Sequence, residues 1–410
     1  MNRSKSLVPE FDYALLVLIT ALIGFGLVMV FSASYDLAYD YKQDVLYFFV
    51  RQLMWIVIGI AAFGITLSID YRTWQTWAVP ILAVAVALLL LVLIAGTEKL
   101  GASRQLHNGS IQPSELAKIA IIIYVAAWLG SKGERLQSAS VGLLPFAVLL
   151  GLLVGLILLQ PDIDTSVVIA FTAIAMFFIA GADLFQVLIV MLLGVVTFVV
   201  TIKLSGYGMT RMTMYLSTIT SATHAGDSQI DRALAALANG GLLGRGLSAG
   251  TSKLNFTLPM AHTDSIFAVI GEELGLWGTL LVLGLFVFFA YRGTRIALRA
   301  PDTFGTLLAF GITTWLVIQA FMNMAVMTAT VPPSGQTLPF FSYGGSSTVA
   351  NLAAVGILLN VSRGGRGGLR LHAISGFWRR NGRSRVPDSD GRHGTAEQSA
   401  GYTRSAPRKR

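Results

Sequence analysis

Long apolar segments separated by short polar ones fill most of the chain. About 20 apolar residues in a helix are needed to cross the roughly 30 Å of hydrocarbon in a bilayer. Ten segments approach this length, at 13–33, 47–68, 76–96, 113–130, 139–159, 165–181, 185–203, 265–290, 304–327 and 339–361. Backbone polar groups in lipid must pair within their own segment, and no two-residue alternation is present, so these segments are predicted to be helices. The sequence therefore predicts an all-α, polytopic membrane protein of about ten transmembrane helices.

The basic residues of the short connecting segments predict how these helices are oriented. One set of connecting segments contains Arg72, Lys132, Arg135, Arg292, Arg295 and Arg299. The other set mixes both signs of charge, in Lys42, Lys99, Arg104, Asp36, Asp40, Asp44, Asp162 and Asp164. Because Lys and Arg are enriched in cytoplasmic loops, the first set is predicted to face the cytoplasm. An even number of spans then places both termini on that side.

Composition and charge agree with a membrane protein and argue against a nucleic-acid-binding one. Charged residues make up 12% of the 410 positions, whereas soluble chains have about 25%. The net charge of +9 arises in the tail 363–410, which has twelve Lys or Arg and three Asp or Glu. This tail is predicted to be disordered, cytoplasmic and attracted to anionic lipids. Before it come a polar cytoplasmic segment, 1–12, and the membrane domain, 13–362.

One predicted outer loop, 204–264, is far longer than the others. Within it, Ser228 and Asp231 resemble a capping box at the start of an amphipathic helix, and Asn239-Gly240-Gly241 ends that helix. A long loop with internal structure is usually functional.

Charged residues near the membrane gather on the predicted outer side, where they are functional candidates because charge in lipid is costly. Glu115 and Lys118 are three positions apart after Pro113, which makes them neighbours on one helix face. They can form an ion pair that only eases insertion, or they can belong to a site. Arg104 lies outside that pair and is a candidate for binding a phosphate.

Carboxylates at predicted helix starts leave two interpretations open. Asp162 and Asp264 can each be a helix cap that complements the helix dipole, or each can be a catalytic or binding group. Glu272 and Glu273 lie about 12–14 Å further along the helix that begins near Asp264. We interpret these two as members of buried ion pairs.

The last polar cluster, Pro332–Gly335 and Leu338–Ser347, is rich in glycine and serine. Such small residues let helices pack closely, or let a helix break beside a cavity. Taken together, the clusters predict an outer cavity that contains both carboxylates and cations. The five histidines are scattered and cysteine is absent, so no thiolate or histidine metal motif is present.

Seven short segments between Phe11 and Arg363 form an ordered set of motifs. They are Gly26–Ser34, Gln112–Lys118, Gln160–Asp162, Gly240–Leu247, Leu258–Asp264, Phe267–Gly275 and Thr337–Ser347. In content and order they resemble the SEDS family (shape, elongation, division and sporulation proteins). The Thr337-Leu338-Pro339-Phe340 version is more similar to the FtsW branch than to the RodA branch.

The resemblance implies a SEDS-type bundle and a peptidoglycan glycosyltransferase of the bacterial plasma membrane. Such an enzyme polymerises lipid II into glycan strands at the outer face, here most simply for the division septum, beside a class B penicillin-binding protein. It implies that Asp264 is the catalytic carboxylate and that Arg104, Glu115, Lys118 and Asp162 belong to the substrate-binding cavity. Lipid II, the growing glycan, membrane lipids and other division proteins are the expected partners, and nucleic acid is not.

The expected reaction is an inverting glycosyl transfer with undecaprenyl pyrophosphate as leaving group. It needs a general base, assigned to Asp264, and positive charge near the pyrophosphate, assigned to Arg104 and Lys118. A divalent cation, Mg²⁺ or Mn²⁺, bound by Asp162 can assist, and no organic cofactor is expected. Hydrophobic grooves between the helices would bind the polyprenyl chains.

Two positions depart from the family pattern. Gln105 stands where many members have tryptophan, and Asp164 stands where glycine is usual. The first is expected to alter packing of the lipid substrate, and the second adds a carboxylate at the cavity rim.

Two other functions remain open from sequence, a lipid II flippase and a non-catalytic division scaffold. A flippase should need polar residues that are accessible from both faces, whereas the predicted inner half of the bundle has few charges.

Overall fold

The structure, a computed structural model, describes residues 11–95, 97–99, 102–105, 112–220, 228–254 and 257–364. Residues 1–10 of the predicted N-terminal segment and almost all of the predicted disordered tail therefore lie outside the described residues.

Twelve α-helices and one short hairpin make up the regular structure of the described residues. The helices are α1 Tyr13–Lys42, α2 Tyr47–Ser68, α3 Tyr71–Ala95, α4 Pro113–Lys132, α5 Leu144–Leu158, α6 Ile163–Ile179, α7 Leu184–Leu204, α8 Gly206–Thr220, α9 Gln229–Gly240, α10 Ile266–Arg299, α11 Thr303–Met327 and α12 Gly345–Ser362. Strands β1 Thr97–Lys99 and β2 Ala102–Gln105 pair antiparallel between α3 and α4. A 3₁₀ turn, Gly133–Gln137, and a π-helical turn, Ala139–Leu143, lead into α5.

The ten predicted spans are confirmed. Among the described residues, nine helices are long and apolar enough to cross a membrane, and α6 is a shorter apolar helix of 17 residues. Together they fall on the ten segments predicted from hydropathy, so the chain is a multi-pass membrane protein. The split between the sixth and seventh spans is also confirmed, because Gly181 turns with φ 95° and Asp183 caps α7 by accepting from the Phe185 N–H.

The tenth predicted span was wrong at its start, because residues 339–344 form a turn and α12 begins at Gly345. Pro339 has no N–H to donate to a helix. The Leu338 N–H donates to Ser342 Oγ, and that hydroxyl donates to the carbonyl of Thr263. The serine thus ties this turn to the segment before α10 instead of continuing the helix.

The predicted helix in the long outer loop is confirmed as α9. Ser228 is its N-cap and accepts from the Asp231 N–H at 3.0 Å, as the capping-box pattern indicated. The same loop also contains α8, which was not predicted. The described residues of this loop therefore contain two helices.

Helix α10 is broken at Gly275, whose φ is 67° and ψ −162°. The glycine-rich turn after α9 binds the peptide groups exposed by this break. The Leu276 N–H donates to the Gly241 carbonyl at 3.0 Å, and the Arg245 N–H donates to the Glu272 carbonyl at 3.0 Å. An added Cβ on Gly275 would lie 2.4 Å from the backbone nitrogen of Gly244, so only glycine fits this crossing.

We expect Gly275→Ala to lower the free energy of unfolding by about 2 kcal/mol or more, since alanine is strained at positive φ and meets the backbone of the turn. Gly284 in the same helix is the matched control, because an added Cβ there meets nothing within 4 Å. Gly284→Ala should change stability by less than about 1 kcal/mol. Thermal unfolding in detergent measures both, and equal melting temperatures would contradict the expectation.

The alternating directions of the spans gather their connections at two ends of the bundle. The site end contains residue 112 and the segments 159–162, 205–220, 228–254, 257–265 and 328–344, and the opposite end contains 69–70, 133–138, 180–183 and 300–302. Most residues of α4, α11 and α12 are buried, whereas α7 buries few, so the first three form the core and α7 is peripheral. The segments of the site end therefore rest on the ends of the core helices.

Candidate active site

Asp264 lies at the site end, in the turn that leads into α10, and it is half-buried. Its backbone carbonyl accepts from Nδ2 of Asn323 on α11 at 2.7 Å, and the same amide donates to the Gln336 carbonyl at 2.8 Å. Ser265, not Asp264, occupies the N-cap position of α10. The capping interpretation of Asp264 was therefore wrong, and Asn323 links this turn to the segment 328–344.

A second carboxylate, that of Asp164, lies close to Gly335, as does the carboxylate of Asp264. Asp164 Oδ2 accepts from the Gly335 N–H at 2.7 Å. An added Cβ on Gly335 would lie 3.5 Å from Asp164 Oδ2 and 3.6 Å from Asp264 Oδ2. The family-atypical Asp164 thus stands at the rim beside the predicted catalytic carboxylate, as its sequence position indicated.

Arg211 on α8 joins this group and was missed from sequence. Its Nη1 lies 3.3 Å from Asp164 Oδ2 and donates to the Pro333 carbonyl at 3.3 Å. One turn later on α8, the Tyr215 hydroxyl donates to the Ala329 carbonyl at 3.2 Å. The four-residue spacing of this arginine and tyrosine was the available signal that both lie on one helix face, and it did not indicate what that face contacts.

An apolar groove of about 440 Å³ leads to these charged groups. Its walls come from α6, α7, α8, α11 and residues 331–334, with side chains such as Phe171, Met191 and Phe198. Asp164 and Arg211 also line it. The groove therefore has a long apolar part and a charged part, and Asp264 lies beside the charged part.

Asp162 is buried and caps α6, which confirms the capping interpretation. Its carboxylate accepts from the Thr165 N–H at 3.3 Å, from Ser114 Oγ at 3.3 Å and from Gln112 Nε2 at 3.4 Å. These donors join the start of α6 to the start of α4. Its contribution to substrate binding stays a prediction.

The predicted cation at Asp162 does not fit these surroundings. Mg²⁺ and Mn²⁺ bind to several oxygen acceptors, whereas three hydrogen-bond donors surround this carboxylate. Within the described residues no group of three or more His, Cys, Asp or Glu is placed to bind a metal.

Glu115 and Lys118 form the buried ion pair that was one of their two interpretations. Lys118 Nζ is fully buried, lies 2.9 Å from Glu115 Oε2 and donates to Gln319 Oε1 at 2.8 Å. Gln319 in turn donates to the Thr337 carbonyl at 3.1 Å. The pair therefore supports the segment 328–344 from within the core. Arg104 lies on β2, and its side chain is outside the described residues.

The interpretation of Glu272 and Glu273 as members of ion pairs with buried carboxylates is confirmed, since Glu273 pairs with Lys253 and Glu272 Oε1 lies 3.9 Å from Arg245 Nη1. Lys253 Nζ lies 2.6 Å from Glu273 Oε1, and Ser32 Oγ on α1 donates to the same carboxylate at 2.6 Å. Glu272 accepts from the N–H groups of Thr251 and Ser252 at 3.0 and 3.1 Å. Both side chains are fully buried and bind the loop after α9 to the first part of α10.

His262, two residues before Asp264, is buried against aromatic rings. Its ring centroid lies 4.7 Å from that of Phe48 and 5.5 Å from that of Tyr343, whose N–H donates to the His262 carbonyl at 2.8 Å. Burial disfavours the imidazolium form and lowers the pKa of His262 from 6.5 to about 4. The histidine is therefore neutral in the folded protein at neutral pH.

This pKa predicts a loss of stability in acid. Below pH 6.5 the unfolded chain binds a proton on His262, whereas the folded chain does so only near pH 4. Stability should thus fall as pH decreases from 6.5 to 4, by about 3 kcal/mol in total. His262→Phe should lose this component, and thermal unfolding between pH 7.5 and 4.5 measures it. Equal pH slopes for both proteins would contradict the assignment.

Comparison with known proteins places this arrangement in a family. The family model described as "Cell cycle protein", which groups FtsW, RodA and SpoVE, matches residues 13–366. A protein of Trichlorobacter lovleyi named "Probable peptidoglycan glycosyltransferase FtsW" is 43% identical over 91% of this chain and 98% of its own length. "Stage V sporulation protein E" of Bacillus subtilis is 40% identical over 86% of this chain and 97% of its own.

Solved structures share the fold. A chain of a peptidoglycan synthase complex that coordinates polymerization and crosslinking matches with a TM-score of 0.71 and 28% identity, over 86% of this chain and 98% of that one. The rod shape determining protein RodA of Thermus thermophilus matches with a TM-score of 0.61 and 28% identity, over 86% and 97% of the two chains. The resemblance found in the motifs is thereby confirmed, and this chain belongs to the FtsW, RodA and SpoVE family of cell cycle proteins.

Proposed function

We propose that the protein is a peptidoglycan glycosyltransferase that polymerises lipid II into glycan strands, with Asp264 as general base. The observation that carries this proposal is the half-buried Asp264 beside the charged part of an apolar groove. A polyprenyl-linked sugar has the same two parts, an apolar chain and a charged pyrophosphate. The names of the similar proteins support the same activity.

The reaction forms one bond and breaks one. The 4-hydroxyl of the acceptor GlcNAc attacks the anomeric carbon of the donor MurNAc, and the bond to the pyrophosphate oxygen breaks with inversion. Asp264 accepts the hydroxyl proton, and undecaprenyl pyrophosphate leaves with the bonding electrons. A carboxylate that is partly removed from water, in a turn fixed by Asn323, is positioned for this proton transfer.

The other predicted residues support the cavity in this proposal. Asp162 and the Glu115–Lys118 pair connect the first turns of α4 and α6 and the segment 328–344. The polyprenyl chain of the donor lies along the apolar groove. Arg104 remains the sequence-based candidate for the pyrophosphate, whereas Lys118, the other candidate, is fully buried in its pair with Glu115.

The charges at the two ends and the similar proteins also support a proposed membrane orientation, partner and location. The basic residues Arg72, Arg135 and Arg292 lie at or near the opposite end. Because Lys and Arg are enriched in cytoplasmic loops, this supports the proposal that this end and both termini are cytoplasmic. The site end then faces the cell-wall side, where the glycan is built. A class B penicillin-binding protein is the proposed partner, which is supported by the similar chain from a complex that coordinates polymerization and crosslinking. The division septum is the proposed location, which is supported by the description of the family as cell cycle proteins.

The test is reconstitution of the full chain with its class B penicillin-binding protein in liposomes that contain lipid II. Inhibiting the transpeptidase leaves glycan length as the readout, and the partner purified alone is the control. Long glycan should form only when the full chain is present. An intact complex that forms no glycan would contradict the proposal, and lipid II translocation by the same sample would then favour the flippase alternative.

A further inference from the structure

In the charged part of the groove, two charged side chains contact each other and one loop. Asp164 on α6 accepts from Arg211 on α8 and from the Gly335 N–H, and Arg211 also donates to the Pro333 carbonyl. We call Asp164, Arg211 and Gly335 the latch. The side chain of Asp164 is 9% exposed and that of Arg211 27% exposed. The latch is thus ordered by several contacts but remains within reach of a ligand in the groove.

The latch lies between the apolar part of the groove and Asp264. Asp164 and Arg211 line the groove. Gly335 lies close to the carboxylates of both Asp164 and Asp264. A ligand with its apolar chain in the groove and its head at Asp264 must therefore place that head beside Arg211. The charged group of such a ligand would therefore contact the latch before it reaches Asp264.

The charges of the latch favour exchange of one anion for another. A guanidinium has five N–H donors in a planar fork that suits a phosphate as well as a carboxylate. A pyrophosphate beside Arg211 would be attracted to the arginine and repelled by the Asp164 carboxylate. Asp164 and the ligand therefore compete for the same cation.

We propose that Asp164 is an internal competitor of the ligand, and that the pyrophosphate of a polyprenyl ligand replaces it on Arg211 when the groove is filled. This inference rests on the proposed function and assigns Arg211 as a pyrophosphate-binding residue of that site. It also gives a role to the departure at position 164, since glycine there would leave the arginine without this carboxylate.

Two variants separate the charges, and the first of them also keeps the size of the side chain. Asp164→Asn retains an oxygen that can accept from the Gly335 N–H but loses the negative charge. Arg211→Gln loses the positive charge. Asp302 and Arg72 at the opposite end are the matched controls, because Asp302 likewise accepts from a glycine N–H, that of Gly305 at 2.7 Å, and pairs with Arg72 Nε at 3.1 Å.

Binding of undecaprenyl pyrophosphate to the full chain in nanodiscs tests the proposal without requiring polymerisation. Asp164→Asn should bind it roughly fivefold more tightly, and Arg211→Gln at least about tenfold more weakly. In the Arg211→Gln background, Asp164→Asn should tighten binding by clearly less than it does in the wild type, because only the direct repulsion between the two anions is then relieved. Uncharged undecaprenol should bind equally to all variants, and Asp302→Asn and Arg72→Gln should bind pyrophosphate as the wild type does.

Unchanged or weaker binding by Asp164→Asn would overturn the proposal, as would an equal tightening by Asp164→Asn in the Arg211→Gln background. If either variant fails to give a monodisperse protein, Asp164→Ser and Arg211→Lys carry the same test, with tighter and weaker binding expected respectively. The role of the latch and the proposed glycosyltransferase function can be overturned separately. A wild type that polymerises lipid II while Asp164→Asn binds no tighter overturns the latch alone, and a wild type that shows the binding pattern but forms no glycan overturns the proposed function alone.

Discussion

Asp264→Asn is expected to lower the rate of glycan polymerisation by about 10²–10⁴-fold, the range typical for loss of a general base. Asparagine has nearly the same size as aspartate but cannot accept the proton of the acceptor hydroxyl. The contacts of this turn involve the backbone carbonyl of Asp264, which the substitution leaves in place. Binding of lipid II and the melting temperature should therefore change little, so the loss should appear in kcat rather than KM.

Glycan length and initial rate in reconstituted complexes measure this effect. Asp44→Asn is the matched control, because Asp44 is an exposed carboxylate in the turn between α1 and α2, at the same end of the bundle, where it accepts from the Leu46 N–H at 3.0 Å. The control should polymerise at the wild-type rate. Polymerisation by Asp264→Asn at more than about a tenth of that rate would exclude Asp264 as the base.

The spans were predictable because lipid imposes a strong and local constraint on sequence. Every helix that crosses it needs a nearly continuous apolar run, and such runs are visible without knowledge of tertiary contacts. The break in α10 was not predictable in this way. Apolar residues continue on both sides of Gly275, and its positive φ exists because the turn at Gly244 passes within contact distance.

The site was predictable where a motif marks the residue and unpredictable where a tertiary contact does. Asp162 and Asp264 stand in short motifs at helix starts, so both could be identified from sequence alone. Arg211 became part of the site only because it lies against Asp164 and Pro333, which are 47 and 122 positions away. A single sequence contains no record of such pairings.

Buried polar contacts bind the loop after α9 to the first part of α10 at the site end. Glu272 and Glu273 lie on the first part of α10, directly after Asp264, and together they bind the loop after α9 through Thr251, Ser252 and Lys253. The position of the turn that contains Asp264 thus depends on charges that are removed from water. Such charges are costly when one partner is lost.

Lys253→Met should therefore lower the free energy of unfolding by about 3–5 kcal/mol, because Glu273 would remain fully buried with its negative charge uncompensated. The double variant Lys253→Met/Glu273→Leu should recover most of that loss, since it leaves an apolar pair in place of an isolated charge. Arg72→Met at the exposed Arg72–Asp302 pair, whose side chains are 46% and 34% exposed, should cost less than about 1 kcal/mol. Thermal unfolding of the three proteins in one detergent measures the contrast. If the double variant melts no higher than Lys253→Met, the cost comes from the packing of the loop and not from the buried charge.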